Sequence, residues 1–213
     1  MNQAPITILY EDQDVLAVEK PPGLLTVPGR GPDNQDCLIH RLLTNHPNSR
    51  IVHRLDMATS GIVLIPQNHD SLSELSRQFQ QRTIKKRYQA IVDGIVEKDS
   101  GVIDLPLMCD WPNRPKQKVC HEQGKPSRTE FHVLQRNHCE QPESRVELTP
   151  ITGRSHQLRV HMMALGHAIV GDYFYAEPGI LNRSDRLLLH ATCLQFSHPR
   201  SGELITVESA APF

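Results

Sequence analysis

Short apolar runs separated by turn formers dominate the chain. Ile6-Thr7-Ile8-Leu9-Tyr10 and Val15-Leu16-Ala17-Val18-Glu19 predict two strands, joined as a hairpin across Glu11-Asp12-Gln13-Asp14. Lys20-Pro21-Pro22-Gly23 ends the second strand, because proline cannot join a ladder interior. Residues 37–45 place Leu38, Ile39, Leu42 and Leu43 at helical spacing. Ile62-Val63-Leu64-Ile65 reads as a strand. Asp70-Ser71-Leu72-Ser73-Glu74 predicts a helix start with a capping box from Ser71 to Glu74, and Leu72, Leu75 and Phe79 then share a face. Tyr88 to Val96, Arg128 to Leu134 and Arg145 to Leu148 alternate in part, as strands do. Arg154 to Leu165 predicts a helix, with Leu158, Met162 and Leu165 on one stripe and Gly166 as its stop. Leu187 to Phe196 predicts a strand, and Pro199-Arg200-Ser201-Gly202 a turn into Leu204-Ile205-Thr206-Val207.

Strands outnumber helices, and many are joined by short turns, not by crossover helices. This pattern predicts an α+β fold with a mixed, mainly antiparallel sheet. A chain of 213 residues can bury one sizeable core or two small ones. No Gly/Ser linker or internal repeat divides it, so residues 1–213 are expected to form a single domain. Nothing reaches the apolar length of a membrane span. The start, Met1-Asn2-Gln3-Ala4-Pro5, lacks the basic region and apolar core of a signal peptide. Five cysteines, an odd and scattered set with no C-x-x-C, point to a reducing compartment. The expected location is the cytoplasm.

The net charge of -1 hides an uneven distribution. Segment 77–87 holds Arg77, Arg82, Lys85, Lys86 and Arg87 and no acid, and segment 112–128 holds Arg114, Lys116, Lys118, Lys125 and Arg128 against Glu122 alone. Elsewhere acids predominate. Local clusters, more than net charge, decide where phosphates dock. The alternative is two ordinary solvated faces.

Four stretches carry candidate chemistry. His53-Arg54-Leu55-Asp56-Met57-Ala58-Thr59-Ser60-Gly61 sets one carboxylate beside an arginine, on a turn leading into a strand. A carboxylate so placed is held by scaffold yet open to a ligand; the plain alternative is a solvated turn. Lys85-Lys86-Arg87-Tyr88 puts an aromatic just past a basic run, which suits phosphate contact with base stacking. On its own, a strand tyrosine is more often core. Pro150-Ile151-Thr152-Gly153-Arg154-Ser155-His156-Gln157-Leu158-Arg159 opens the predicted helix with arginines, although helix N-termini favour anions. Such a local conflict points to a functional constraint. Arg186-Leu187-Leu188-Leu189-His190-Ala191 reads mostly as scaffold, with His190 a hydrogen-bonded core histidine. Cys120-His121 and His138-Cys139 lack zinc-site spacing, and there is no phosphate loop or G-x-G-x-x-G, so neither metal nor cofactor is expected.

The first of these stretches resembles the active-site motif of the RluA-type pseudouridine synthases, His-Arg-Leu-Asp-x-x-Thr-Ser-Gly. The third resembles the family's Thr-Gly-Arg-x-His-Gln-Leu-Arg, and the Lys20, Tyr88 and Arg186 segments match in order, so the resemblance covers essentially the whole chain. It implies a catalytic domain built around a central RNA-binding cleft, with Asp56 as the catalytic aspartate. Arg159 would pair with that carboxylate, and Tyr88 would lie against the target base. Arg54 would fill the stack vacated by a flipped uridine. Family motifs begin at Lys20, leaving no room for the extra N-terminal RNA-binding domain of some relatives. The 110–119 segment and Met57-Ala58 are similar to a dual-specificity branch. That implies structured RNA partners, a uridine in 23S ribosomal RNA and one in the tRNA anticodon stem-loop, and no protein partner. RNA backbone contacts are then expected from Lys85, Lys86, Arg114, Lys116 and Lys118.

Two other classes are weighed against this. A glycoside hydrolase would need a second carboxylate at defined separation, and no second acidic motif of comparable character is visible. A non-enzymatic RNA-binding module accounts for the basic clusters but gives no reason for Asp56. A synthase of the same family acting on a different uridine is the nearest alternative.

Overall fold

A computed structural model describes residues 5–213. The chain divides into two compact units, the first comprising residues up to Lys86 together with Ala191–Pro212, the second Arg87–His190 with Phe213. Residues 1–4, most of the stretch read above as lacking a signal peptide, lie outside the described residues. Among the described residues, no helix is long and apolar enough to cross a membrane.

The first unit holds β1 (Thr7–Glu11), β2 (Val15–Lys20), α1 (Leu38–Leu43), β3 (Ser60–Pro66) and α2 (His69–Gln81). Late in the chain it adds β10 (Leu189–Ser197), from Ala191 onward, and β11 (Leu204–Glu208). Its strands run in the order β1-β2-β3-β10, with β11 on β10, and β1/β2, β2/β3 and β10/β11 pair antiparallel. Every residue of β3 is buried. A central strand covered on both faces reads as a continuous apolar run, and this is the Ile62–Ile65 signal. One face carries Val15, Ala17, Ile62, Leu64, Leu194, Phe196 and Val207, each two residues apart within its strand, against Leu75 of α2. The N-cap of α2 is Asn68, not Ser71: the Asn68 side-chain oxygen accepts from Ser71 N at 2.8 Å and from its hydroxyl at 2.8 Å. Asp70 and Ser71 therefore lie inside the first turn, and Asn68 supplies the acceptor the capping box was expected to provide.

The second unit holds β4 (Lys85–Asp93, from Arg87), β5 (Ser100–Asp104), β6 (Leu107–Cys109) and β7 (Gln117–Val119). It continues with β8 (Arg128–Asn137), β9 (Glu143–Pro150), α3 (Gln157–Ala164) and α4 (Pro178–Leu181). Strands β4-β9-β8-β5 form an antiparallel sheet, and β6 and β7 form a separate hairpin. Strict alternation along β8 and β9 buries Thr129, Phe131 and Val133 against Ser144, Val146 and Leu148. Between Val133 and Gln135 the register slips by one residue, and the exposed Leu134 is the unpaired residue at the slip.

The expected helix from Arg154 starts three residues late. His156 takes a left-handed conformation, φ 54°, and α3 begins at Gln157. Its predicted stripe also fails. Residues Gln157 to Met162 are all buried, whereas Leu165 is exposed. A helix covered on every side has no polar face from which periodicity can be read. The basic run before Tyr88 is likewise part of β4, not a loop preceding it.

Gly61 sits at φ +110° beside the β10 backbone, where an added Cβ would lie 2.4 Å from Ala191 O. Each unit also encloses a histidine whose pKa is pushed down. Burial, with the Lys86 charge second, holds His53 at about 3, below its ordinary 6.5. Its Nε2 accepts from Leu64 N at 2.9 Å, as a neutral ring can. Burial also lowers His161, whose ring nitrogens meet Thr129 Oγ1 at 2.8 Å and Leu105 O at 3.1 Å.

Between pH 6.5 and about 3, the unfolded chain protonates His53 while the folded protein does not. Stability should therefore fall as pH drops through 6.5, by about 2 kcal/mol at pH 5 from His53 alone. Urea midpoints at pH 7.5 and 5 check this, and His53→Gln, which keeps an acceptor for Leu64 N, should flatten the slope. Gly61→Ala combines backbone strain with a collision against main chain. It should cost about 3 kcal/mol or more, read from the same midpoints.

Candidate active site

Two loops of the first unit build the turn that carries Asp56. Thr26 Oγ1 donates to Leu55 O at 2.8 Å and accepts from Leu55 N at 3.2 Å, so one buried hydroxyl satisfies both backbone groups of the residue before the aspartate. The residue after it is held as firmly. Met57 O accepts from Gly23 N at 2.8 Å and from Lys20 Nζ at 3.1 Å. Lys20 is fully buried, and its ammonium also donates to Pro21 O and Leu24 O, both at 2.8 Å. Thr59 N closes the turn on Asp56 O at 3.1 Å. His53 fastens the start of the motif to β3 and packs on the Phe79 ring, 4.7 Å between centroids.

The motif's side chains thus divide. His53, Leu55, Thr59 and Ser60 are turned to scaffold, Asp56 is half-buried, and Arg54 and Met57 are exposed. Arg54 stands two residues from the aspartate with its side chain in solvent. Lys85 is exposed at the start of β4. Lys86 is half-buried, its pKa lowered by desolvation and then by Arg82, and its charge reaches the His53 ring. The structure therefore brings Lys86 to the Asp56 motif, which the sequence did not connect to it.

In the second unit, Tyr88 is half-buried on β4, opposite Leu148 of β9. Arg159 lies in the first turn of α3 and is 1% exposed. Its Nε and Nη2 form a two-pronged contact with the buried Asp172, at 2.8 and 2.6 Å. Asp172 Oδ1 also accepts from Phe174 N and Tyr175 N, at 3.0 and 3.3 Å. The guanidinium carbon lies 5.2–5.6 Å from the ring centroids of Tyr173, Phe174 and Tyr175. A buried charge pair persists only when such extra bonds satisfy both ions.

Asp172 escaped the sequence reading. The available signal was a Gly-Asp step followed by three consecutive aromatics, Tyr173-Phe174-Tyr175, in a chain only 5% aromatic. Gly171, at φ +75°, belongs to the same device, since a Cβ there would strike Arg186 O at 1.9 Å.

The loop before α3 is stapled by the Gln157 amide. Its oxygen accepts from Thr152 Oγ1 at 2.7 Å and Arg154 N at 3.0 Å, while its nitrogen donates to Arg128 O at 2.9 Å and Thr129 Oγ1 at 3.0 Å. Arg154 therefore precedes the helix, where the sequence placed it in an early turn, and its Nε donates to Pro126 O at 3.3 Å. His156 Nδ1 lies 2.6 Å from Tyr175 OH, which also accepts from Gln117 N at 2.8 Å. His190 is fully buried.

The basic stretches are less positive in three dimensions than along the chain. Arg77 pairs with Glu74, Arg87 lies 3.6 Å from Glu147, and Lys118 lies 3.3 Å from Asp110. Each of these acids falls outside the sequence window that made the stretch look basic. Arg114 and Lys116 sit at the tip of the β6–β7 hairpin, Arg114 exposed and Lys116 half-buried.

Asp12, Asp14 and His198 have metal-ligating proximity, within 4.8 Å of one another. Protein donors occupy them. Asp14 takes both prongs of Arg200 at 2.7 and 2.8 Å, and Asp12 accepts from Val15 N at 2.8 Å and lies 2.9 Å from His198 Nε2. The guanidinium supplies the positive charge that a cation would bring.

Residues 14–164 match the RNA pseudouridylate synthase family. A dual-specificity RNA pseudouridine synthase RluA of Yersinia pestis is 50% identical over 206 residues, which is 97% of this chain and 99% of the relative. The RluA of Escherichia coli K12 is 50% identical over 208 residues, 98% of this chain and 94% of the relative. Among solved structures, human RNA pseudouridylate synthase domain containing 1 is similar with a TM-score of 0.82 at 31% identity, covering all of this chain and 87% of the other. With the Asp56 motif folded as one fastened turn and with likeness along nearly its full length, the chain belongs to the RNA pseudouridylate synthase family.

Proposed function

We propose that residues 1–213 act as one catalytic domain that isomerises uridine in structured RNA, with Asp56 as the essential group. One observation carries the choice of residue. Among the motif's side chains, the Asp56 carboxylate is held half-open on a turn whose neighbours on both sides are fixed by buried donors. Catalysis by a positioned carboxylate needs that combination of rigidity and access.

The reaction breaks the bond from ribose C1′ to uracil N1 and makes one from C1′ to C5; the C5 proton leaves and N1 regains one. Atoms and oxidation state balance without a cofactor. Asp56 serves as its carboxylate, either adding to C1′ or taking a sugar proton. Arg159 is the proposed counter-charge for it. Asp172 positions that arginine by occupying Nε and one terminal nitrogen, which fixes the plane of the guanidinium. Tyr88 is proposed to stack on the detached uracil, and Arg54, exposed beside Asp56, to fill the gap left by the flipped nucleotide.

The relatives named above are called dual-specificity RNA enzymes. We extend that to this chain, with a uridine of 23S ribosomal RNA and one of the tRNA anticodon stem-loop as substrates in the cytoplasm. Backbone contacts are proposed for Lys85, Lys86, Arg114, Lys116 and Lys118. Of these, Lys118 would exchange its exposed pairing with Asp110 for a phosphate.

Asp56→Asn should bind anticodon stem-loop RNA within about threefold of wild type and release no tritium from C5-labelled uridine; near-normal release would remove Asp56 from the chemistry. Asp172→Asn leaves Arg159 buried with its charge uncompensated. It should cost about 3 kcal/mol in urea unfolding, and in the fraction that folds it should lower kcat more than it raises KM. An unchanged kcat would show the pair to be structural only.

A further inference from the structure

The chain has one tryptophan, and it is among the most exposed large apolar residues. Trp111 stands at the tip of the β6–β7 hairpin with 63% of its surface accessible. Its indole offers a wide π-face for a planar partner.

The tip is built as a rigid mount. Asp110 N donates to Lys116 O at 2.9 Å, Asn113 N to Asp110 O at 2.9 Å and Lys116 N to Asn113 O at 3.0 Å. The Asn113 amide adds a bond to the Asp110 carboxylate at 2.8 Å, and Lys118 pairs with the same group. Pro112 and Pro115 restrict the backbone within this short segment. The base of the hairpin is tied to the Arg159 region by Gln117 N donating to Tyr175 OH at 2.8 Å. Arg114 lies over the indole, 4.2 Å from its centroid. One face of the ring is thus covered by a cation, and Lys116 lies in the same hairpin tip.

We infer that Trp111 is a stacking platform for an unpaired RNA base, with Arg114 backing the ring and contacting the adjoining phosphate. This deepens, and rests on, the RNA-isomerase function proposed above. Charge complementarity selects the occupant. An apolar protein partner would have no use for a guanidinium stacked on the ring, whereas every nucleotide offers a π-face and a phosphate. The platform tolerates different bases, since stacking does not read hydrogen-bond edges. That property suits an enzyme with more than one RNA substrate.

The single indole is its own reporter. Wild-type protein is titrated with an anticodon stem-loop RNA and with a fully paired RNA duplex of the same length, with binding followed independently by filter retention. The stem-loop should quench Trp111 emission and shield it from acrylamide; the duplex, when bound, should do neither. Trp111→Ala should raise KM for the stem-loop about tenfold, leave kcat within about twofold, and keep the wild-type unfolding midpoint. Trp111→Phe should recover most of the loss. Unchanged emission with saturating stem-loop bound, equal quenching by duplex, or a wild-type KM for Trp111→Ala overturns the platform and leaves the indole to some other contact, such as a protein. Tritium release from the wild type separates the two levels. Release with a silent indole sinks the platform alone, and a responsive indole without release sinks the isomerase function alone.

Discussion

A buried ammonium joins the two loops on which the Asp56 turn is built. Lys20 Nζ reaches Pro21 O, Leu24 O and Met57 O, so three N–H donors meet three carbonyl oxygens. Taking a lysine fully out of water is costly, and only a shell of acceptors makes it tolerable. What is obtained is position. The strand β2 ends at Lys20, the Pro-Pro-Gly turn follows, and both are locked to the residue after Asp56. Thr26 completes the fastening from the other side, at Leu55. The turn is thereby fastened on both sides of Asp56.

The second unit solves the same problem with opposite chemistry. There an arginine is the group to be held, and a carboxylate holds it. Asp172 offers both oxygens to the Arg159 fork and takes two backbone N–H groups behind, while the guanidinium lies 5.2–5.6 Å from three aromatic ring centroids. In both units the fixed group relies on residues far from it in sequence. A change at Lys20, Thr26 or Asp172 would first be felt at the residue it positions.

Much of the architecture was legible in the sequence. The β1–β2 hairpin, the buried strand β3, helix α2 and strands β8 to β10 stand where hydrophobic period and turn residues put them, within a few residues. The failures have separate causes. The strands β5 to β7 are short and bury only Ile103 and Leu107, so they carry little alternation. Helix α3 is buried on all sides, which erases the amphipathic signal. Its late start is decided by the Gln157 side chain, whose bonds to Thr152 and Arg154 substitute for a helical turn. Of the candidate site, the sequence named side chains but not the groups that hold them. Thr26 and Asp172 act through partners that no window along the chain contains.

The charge pattern shows the same limit and what it costs an argument about RNA. Counted in windows, two stretches looked almost uniformly basic. Once Glu74, Glu147 and Asp110 are in place, Arg77, Arg87 and Lys118 are each partly neutralised. Exposed pairs of this kind contribute little to stability, but they lower the local potential that phosphates feel. Affinity for RNA would then depend less on total positive charge than on a few directed contacts. Arg54 is exposed on a fastened turn, and Trp111 with Arg114 is exposed on a braced hairpin. Both are planar groups on rigid mounts, and planar groups bind nucleotides by stacking as well as by charge. Stacking persists at salt concentrations that screen lysines, so binding to such a surface should depend on salt less steeply than the count of basic residues predicts.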